Sequence, residues 1–111
     1  MTTWPSVGVV VPTHHRPGPL RTALAGVLAQ DYPGELRLVV VYDRAQPDPR
    51  LTGDGRVTVA VNGRKPGLAG ARNTGILMLD TDLVAFCDDD DEWLPGKLRA
   101  LGVMDTKRSP A

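Results

Sequence analysis

The chain has 111 residues, 13 basic and 13 acidic side chains, and a hydrophobic fraction of 41%, a composition typical of one ordinary globular domain. The formal net charge of zero gives no support for a nucleic-acid or anionic-membrane partner. The N-terminus lacks a basic segment, and the apolar run at 7–11 is too short for a signal peptide or a membrane span. The single cysteine, Cys87, lies in an apolar run. We therefore expect a buried thiol in a cytoplasmic protein without a membrane span.

Apolar runs and helical spacings alternate along the first half of the chain. Residues 7–11 (Val-Gly-Val-Val-Val) predict a strand buried on both faces, and Pro12 is expected to end it. Apolar residues from Leu20 to Leu28 recur at the spacing of an amphipathic helix. Residues 36–42 predict a second buried strand, and the Pro-, Asp- and Gly-rich segment 44–55 predicts a loop.

The second half continues this alternation. Residues 57–61 predict a third strand and residues 83–87 a fourth. Between them, residues 67–79 predict a helix with one face formed by Leu68, Ala71, Gly75, Ile76 and Leu79. A last helix over 94–104 is predicted to turn inward the side chains of Leu94, Leu98 and Leu101.

The order β-α-β-β-α-β-α predicts an α/β sandwich with a mainly parallel sheet and right-handed crossovers. We expect one domain over residues 1–104, followed by a polar tail at 105–111. Parallel strands present their carboxyl ends at one edge of the sheet, where ligands bind in this class of fold.

The most distinctive segment is a run of five acidic residues, 88–92, directly after the apolar residues 84–87. If this segment is extended, Asp88 and Asp90 lie on one face and Asp89 on the other. Two carboxylates on one face suit a single hard divalent cation, Mg²⁺ or Mn²⁺. A solvated acidic turn that caps the last helix remains the alternative.

Polar residues also follow the other predicted strands. They occupy 12–16 after the first strand, 42–43 after the second, and 62–73 around the start of the second helix. Together with the acidic run, these segments offer groups for a base, a ribose, phosphates and a metal ion. The pattern therefore suits a nucleoside diphosphate.

In the order and spacing of these segments the chain resembles the nucleotide-binding half of family 2 glycosyltransferases, which have the GT-A fold. The similar segments are Val9-Val10-Val11-Pro12-Thr13-His14-His15-Arg16, Gln30, residues 35–43 ending in Tyr42-Asp43, residues 67–76 with Ala71-Arg72-Asn73, and the Asp-x-Asp motif within 86–91. The resemblance implies a Rossmann-like GT-A three-layer sandwich with a mainly parallel sheet, truncated after the metal motif.

The resemblance also implies roles for individual residues. Asp90 would hold the Mn²⁺ or Mg²⁺ that bridges the diphosphate, Asp88 would be a second metal ligand, and Asp43 would accept a hydrogen bond from the nucleobase. The implied nucleotide-binding residues are Pro12, Thr13, His14, Asp43, Lys65, Arg72, Asp88 and Asp89. Among them, Lys65 or Arg72 would contact phosphate. The expected partner is a nucleotide-sugar donor, a UDP-sugar in first place, with guanosine and thymidine nucleotides left open.

Simpler interpretations of single residues stay open at this point. Arg72 could be a salt-bridge partner, Asp43 could cap a turn or a helix, and Trp93 is expected to pack over the last helix. Three departures from the family pattern surround the predicted base site and leave the nucleobase undetermined: Tyr42 replaces the first Asp of Asp-Asp, Arg44-Ala45 replaces Gly-Ser, and His14-His15 replaces Tyr-Asn.

The resemblance implies an inverting glycosyltransferase or its donor-binding half. In the family the acceptor site and the catalytic base lie downstream of the metal motif, so the catalytic residues remain unknown here. The alternatives are a nucleotide- and metal-binding module without turnover, and an interaction domain whose acidic residues only cap a helix. A sheet that lacks later strands would expose an edge and an apolar face, which predicts self-association or a separate C-terminal half.

Overall fold

The computed structural model describes residues 4–14, 16–63 and 65–100. Its strands and α-helices are β1 (Val7–Thr13), α1 (Pro17–Leu28), β2 (Leu36–Tyr42), β3 (Val57–Val61), α2 (Leu68–Leu77) and β4 (Leu83–Phe86). A short 3-10 helix, Pro49–Gly53, interrupts the predicted loop between β2 and β3. The predicted last helix begins at residue 97 rather than 94, and its part after residue 100 lies outside the described residues.

The sheet is parallel throughout, with the strand order β3-β2-β1-β4. From β1 the chain moves outward to β2 and β3, and then it returns across the sheet to β4. This reversal creates a crevice between the carboxyl ends of β1 and β4, the place where ligands bind in open α/β sheets. The predicted parallel α/β architecture is thus confirmed.

Pro12 does not end β1, so that sequence prediction is wrong. The strand continues to Thr13, and Pro12 pairs with Val41 of β2. The Val10 carbonyl accepts a hydrogen bond from the Cys87 N–H on the β4 side, and residues two apart along a strand face the same neighbour. Pro12 therefore faces the side on which β4 has already ended. Its missing N–H removes no hydrogen bond from the sheet.

Apolar clusters cover both faces of the sheet and produce three layers. On one face α1 packs against the strands through Leu20, Ala23, Leu24 and Val27. On the other face α2 packs against Val10, Val39 and Val41. The unbroken valine runs of β1 and β2 follow from this burial on both faces. Helices on opposite faces are also expected when two crossovers of one hand run in opposite directions.

Small residues make the contact between α2 and the sheet. A Cβ atom at Gly75 would overlap the side chain of Val10, and Ala71 is fully buried. Because the helix backbone lies so close to β1, larger side chains fit only beside the contact. The predicted apolar face of α2 is therefore wrong for Leu68 and Ile76, which are exposed.

The segment after the acidic run packs on α1. Trp93 and Leu98 are buried in the core on this face, as predicted. Leu94 is exposed, contrary to prediction, because Trp93 takes the inward position next to it, while Leu101 lies outside the described residues. Gln30 fastens the segment: its Nε2 donates to the Leu94 carbonyl at 2.7 Å, and its Oε1 accepts from the Leu98 N–H at 2.9 Å.

β4 is an edge strand within the described part of the chain. Exposed apolar side chains nearby in sequence are Leu77, Met78 and Phe86. The self-association expected from such a surface stays a prediction. No α-helix among the described residues combines the length and the hydrophobicity needed to cross a bilayer.

Candidate functional site

A cavity of about 400 Å³ opens at the carboxyl edge of the sheet, over the crevice between β1 and β4. Its walls come from the ends of β1 and β2, the start of α2 and the turn after β4. The lining residues are Pro12, Thr13, His14, Arg16, Asp43, Arg44, Gly67, Leu68, Ala71, Asp88, Asp89 and Asp90. All the site residues predicted from the sequence except Lys65 and Arg72 line this one cavity.

The acidic residues form a turn after β4, closed by a hydrogen bond from the Asp91 N–H to the Asp88 carbonyl at 3.0 Å. The expected alternation of Asp88 and Asp90 against Asp89 is therefore wrong, because it requires an extended backbone. All three side chains line the cavity from this turn. Asp89 is the least exposed of the three, at 12%. The Thr13 Oγ1 donates to its Oδ2 at 3.0 Å and joins the ends of β1 and β4.

Two arginines approach the acidic turn, Arg16 from the start of α1 and Arg72 from α2. The Nη1 of Arg16 lies 3.1 Å from the Oδ2 of Asp90 and 3.8 Å from the Oδ1 of Asp89. The Nη2 of Arg72 lies 4.0 Å from the Oδ1 of Asp88. The side chains of Arg16 and Asp90 are 54% and 58% exposed. The negative charges of the turn are thus compensated by two arginines at the surface, where ion pairs contribute little to the free energy of unfolding.

Asp43, directly after β2, is held differently. Its side chain is almost buried, with its Oδ1 accepting from the Asn62 Nδ2 at 3.0 Å and its Oδ2 from the Gly67 N–H at 3.0 Å. The Arg44 guanidinium lies 3.3 Å from the same Oδ2. The Asn62 hydrogen bond first, and then the Gly67 N–H and the Arg44 charge, lower the pKa of Asp43. This carboxylate fixes the turn that starts α2, where Gly67 has a φ of 116° that favours glycine.

Lys65 and Arg72 lie outside the cavity lining. Lys65 is exposed. Arg72 stacks its guanidinium on the Phe86 ring, 4.9 Å from the centroid, and faces Asp88. These contacts agree with the simpler interpretation of Arg72 as a salt-bridge partner. A phosphate contact by either residue stays a prediction.

Cys87 is fully buried beneath the acidic turn, as the sequence predicts. Burial, reinforced by the nearby Asp91 carboxylate, raises the pKa of the Cys87 thiol to about 12. The thiol is therefore protonated at neutral pH, which makes it unsuited to act as a nucleophile.

The fit of a divalent cation depends on the oxygen atoms of the acidic turn. Among the described residues, no group of three or more His, Cys, Asp or Glu side chains is arranged to hold a metal ion by itself. Mg²⁺ is commonly bound through only one or two carboxylates, with water and substrate phosphates completing the shell. Asp88 and Asp90 fit that second arrangement, since both line the cavity with half-exposed carboxylates.

Sequence reasoning missed three residues that shape the cavity. Arg16 stands within the segment that resembles the family, and its place at the end of the β1–α1 connection could have indicated that it reaches the acidic turn. Arg44 takes a left-handed φ of 55°, at a position where the family usually has Gly. Asn62 lies in the polar segment 62–73 of the sequence analysis, but its contact with Asp43 could not be predicted because it depends on the pairing of β2 with β3.

Comparisons with known proteins agree with this architecture. The chain matches the family model for Glycosyl transferase family 2 over residues 8–102. It is 43% identical over 103 residues to the succinoglycan biosynthesis protein ExoW of Rhizobium meliloti (strain 1021), covering 81% of this chain and 31% of ExoW. It is 29% identical over 96 residues to the UDP-Glc:alpha-D-GlcNAc-diphosphoundecaprenol beta-1,3-glucosyltransferase WfgD of Escherichia coli, covering 83% of this chain and 38% of WfgD. The chain thus spans about a third of the length of these relatives.

A solved structure shows the same fold. The mannosyltransferase PcManGT from Pyrobaculum calidifontis, in complex with GDP-Man and Mn²⁺, superposes with a TM-score of 0.77 at 24% identity, covering 98% of this chain and 34% of that one. The expected GT-A architecture is confirmed by this likeness. Since the family model matches residues 8–102, most of the chain, the chain belongs to glycosyl transferase family 2.

Proposed function

We propose that this chain is the donor-binding part of a family 2 glycosyltransferase. Its cavity binds a nucleoside-diphosphate sugar, a UDP-sugar in first place, together with Mg²⁺ or Mn²⁺. The observation that carries the proposal is the convergence of Thr13, Asp43 and the acidic turn on one cavity at the crevice between β1 and β4. Ligands of open α/β sheets bind at this place.

The nucleoside end of the donor suits the wall formed by β1 and β2. Pro12, Thr13 and His14 provide a surface for the base, and Asp43 provides an ionised acceptor for a base N–H. Both oxygens of Asp43 already accept a hydrogen bond, but a carboxylate has about four acceptor positions. Capacity for the base therefore remains.

The diphosphate end of the donor suits the wall formed by the acidic turn. Asp90 and Asp88 would hold the metal ion, which, when bound, would neutralise negative charge on the departing diphosphate. Thr13 donates a hydrogen bond to Asp89, which we assign to the ribose, and the Arg72 charge lies beside Asp88. The first-turn N–H groups of α2, which begins at the cavity, can add donors to a phosphate.

The nucleobase and the transfer step extend the proposal beyond donor binding. The name of WfgD includes UDP-Glc, which supports uridine, whereas PcManGT was solved with GDP-Man. We propose that the whole protein transfers its sugar with inversion, as the family resemblance implies. We assign Asp43 and the acidic turn to the donor, and thus assign none of them as the base that activates an acceptor hydroxyl.

Calorimetric titration tests the proposal. Wild-type protein is titrated with UDP and with GDP, each with and without Mn²⁺. We expect metal-dependent binding of UDP, which falls at least tenfold in Asp90→Asn. Asp80→Asn is the matched control, because Asp80 is an exposed carboxylate just before β4, at the opposite edge of the sheet.

The control should bind like the wild type. Nucleotide affinity that is the same with and without Mn²⁺, or unchanged in Asp90→Asn, would contradict the metal assignment. If neither nucleotide binds, donor binding by this cavity is wrong, and the interaction-domain alternative becomes the better one. Tighter binding of GDP than of UDP would change the assigned nucleobase from uracil to guanine and leave the rest of the proposal intact.

A further inference from the structure

Arg16 connects the start of α1 with the acidic turn. Its backbone is fixed, because its carbonyl accepts the first hydrogen bond of the helix from the Leu20 N–H at 2.9 Å, and Pro17 follows it. Its guanidinium lies in the cavity lining and contacts Asp90 and Asp89. The backbone of Arg16 is thus held by α1, while its half-exposed guanidinium can reach more than one anionic partner.

From this geometry we infer that Arg16 is an exchangeable counter-ion of the acidic turn. It pairs with Asp90 and Asp89 when the cavity is empty, and it moves to the diphosphate of the donor when a divalent cation takes those carboxylates. The inference deepens the proposed function and rests on it, because it concerns the regulation of the same site.

The exchange follows from charge. The Oδ2 of Asp90 is 3.1 Å from the Arg16 guanidinium, so a cation bound to that oxygen would meet a second positive charge at close range. Repulsion at such a distance opposes binding of the cation, although water screens it at this half-exposed position. Arg16 relieves the repulsion by moving its guanidinium away from Asp90. The diphosphate of the donor offers the displaced guanidinium a new anionic partner through paired N–H donors.

Coupling between metal and donor is the consequence. The metal must displace Arg16, which weakens the binding of metal alone. The displaced guanidinium then strengthens the binding of the diphosphate, so each ligand favours the other. Removing the guanidinium should therefore change the two affinities in opposite directions.

A general effect of positive charge on the cavity would have the same signs, so a matched control is needed. Arg44 supplies it: its side chain lines the same cavity and carries the same charge, but it pairs with Asp43 and not with the acidic turn. If only the positive charge near the cavity matters, Arg16→Gln and Arg44→Gln should change the Mn²⁺ affinity equally. If Arg16 competes directly with the metal for Asp90, Arg16→Gln should change it more.

The experiment measures Mn²⁺ binding without nucleotide by calorimetry in the wild type and in both variants. We expect Arg16→Gln to bind Mn²⁺ about two- to fivefold more tightly than the wild type, the range for loss of a competing exposed ion pair. Arg44→Gln should change this affinity less than Arg16→Gln does. With Mn²⁺ saturating, UDP should bind more weakly to Arg16→Gln than to the wild type.

A spectroscopic readout follows Arg16 itself. In ¹⁵N-labelled protein, the side-chain Nε–H signal of Arg16 should shift during a Mg²⁺ titration, while that of Arg44 stays in place. Equal Mn²⁺ affinities in Arg16→Gln and the wild type, or equal changes in the two variants, would overturn the inference even if UDP binding still depends on Asp90. If the wild type binds no metal with or without UDP, the proposed function and the inference both fail.

Discussion

Two sets of carboxylates lie at the same edge of the sheet and are held in opposite ways. Asp43 is only 7% exposed and accepts hydrogen bonds from the Asn62 side chain and the Gly67 backbone. Asp90 is more than half exposed, and its carboxylate contacts the similarly exposed guanidinium of Arg16. Removing a buried acceptor leaves its donors unsatisfied, whereas an exposed ion pair is easily replaced by water or another ion. We call the side of the cavity that carries Asp43 the fixed wall, and the side that carries Asp90 the exchangeable wall.

The largest expected effect tests the fixed wall. Asp43→Ala should lower the free energy of unfolding by about 2–3 kcal/mol, because the Asn62 amide and the Gly67 N–H lose their acceptor. Urea denaturation measures the change. Asp43→Asn, which keeps one acceptor oxygen, should be less destabilising. A loss below about 0.5 kcal/mol in Asp43→Ala, the ordinary range for a surface substitution, would mean that this wall is not fixed.

The pH dependence of stability isolates the same carboxylate. Since its hydrogen bonds lower the pKa of Asp43 in the folded state, its contribution is complete above the unfolded value of about 4 and is lost as the pH falls through the folded value. Wild-type stability should thus decline below about pH 4, and less steeply in Asp43→Asn. The arginine-paired Asp48 and Asp54, whose pKa values are also lowered, the latter to about 2, titrate in both proteins and cancel in the difference.

The next effect tests the exchangeable wall. Mn²⁺ at ten times its dissociation constant should stabilise the wild type by about 1.4 kcal/mol, since a ligand of the folded state shifts the unfolding equilibrium. Urea denaturation with Mn²⁺ and with EDTA measures this difference. Asp90→Asn should lose most of it, and Asp80→Asn should keep it. Equal stabilisation of Asp90→Asn would indicate that the metal binds elsewhere.

A smaller effect concerns the link between the two walls. Thr13→Val removes the hydroxyl that donates to Asp89 at 3.0 Å and should destabilise the fold by about 1 kcal/mol. Thr13→Ser, which retains the hydroxyl, should recover most of this loss in the same denaturation experiment. If the valine and serine variants are equally stable, the hydrogen bond does not hold the acidic turn to β1.

The smallest expected effect is the loss of stability on removing the Asp90 carboxylate, which is compared with the loss on removing Asp43. Asp90→Ala should change the free energy of unfolding by less than about 0.5 kcal/mol in the absence of metal, because it removes only an exposed ion pair. Equilibrium denaturation in EDTA measures it beside Asp43→Ala. A loss as large as that of Asp43→Ala would erase the distinction between the fixed and the exchangeable wall.

Much of the fold was predictable from the sequence because unbroken valine runs have few alternatives. A run such as residues 36–42 fits a strand covered on both faces, and helical spacing between such runs predicts the covering helices. The sequence predictions were wrong where the position of a residue depends on a neighbouring strand or side chain. Pro12 stays within β1 because β4 ends early, and Leu94 faces outward because Trp93 occupies the inward position.

By itself the sequence determined the parallel α/β architecture, the family and the edge at which the polar segments meet. These follow from local patterns: apolar periodicity, turn residues, and short motifs in a given order. Only the tertiary structure decided which charged groups are permanent parts of that edge. Asp43 is enclosed by groups that approach from β3 and the start of α2, whereas Asp88 and Asp90 of the acidic turn are more than half exposed and pair with partly exposed arginines. Burial and partner choice depend on contacts between distant segments, and for that reason one-dimensional patterns cannot separate two carboxylates of the same kind.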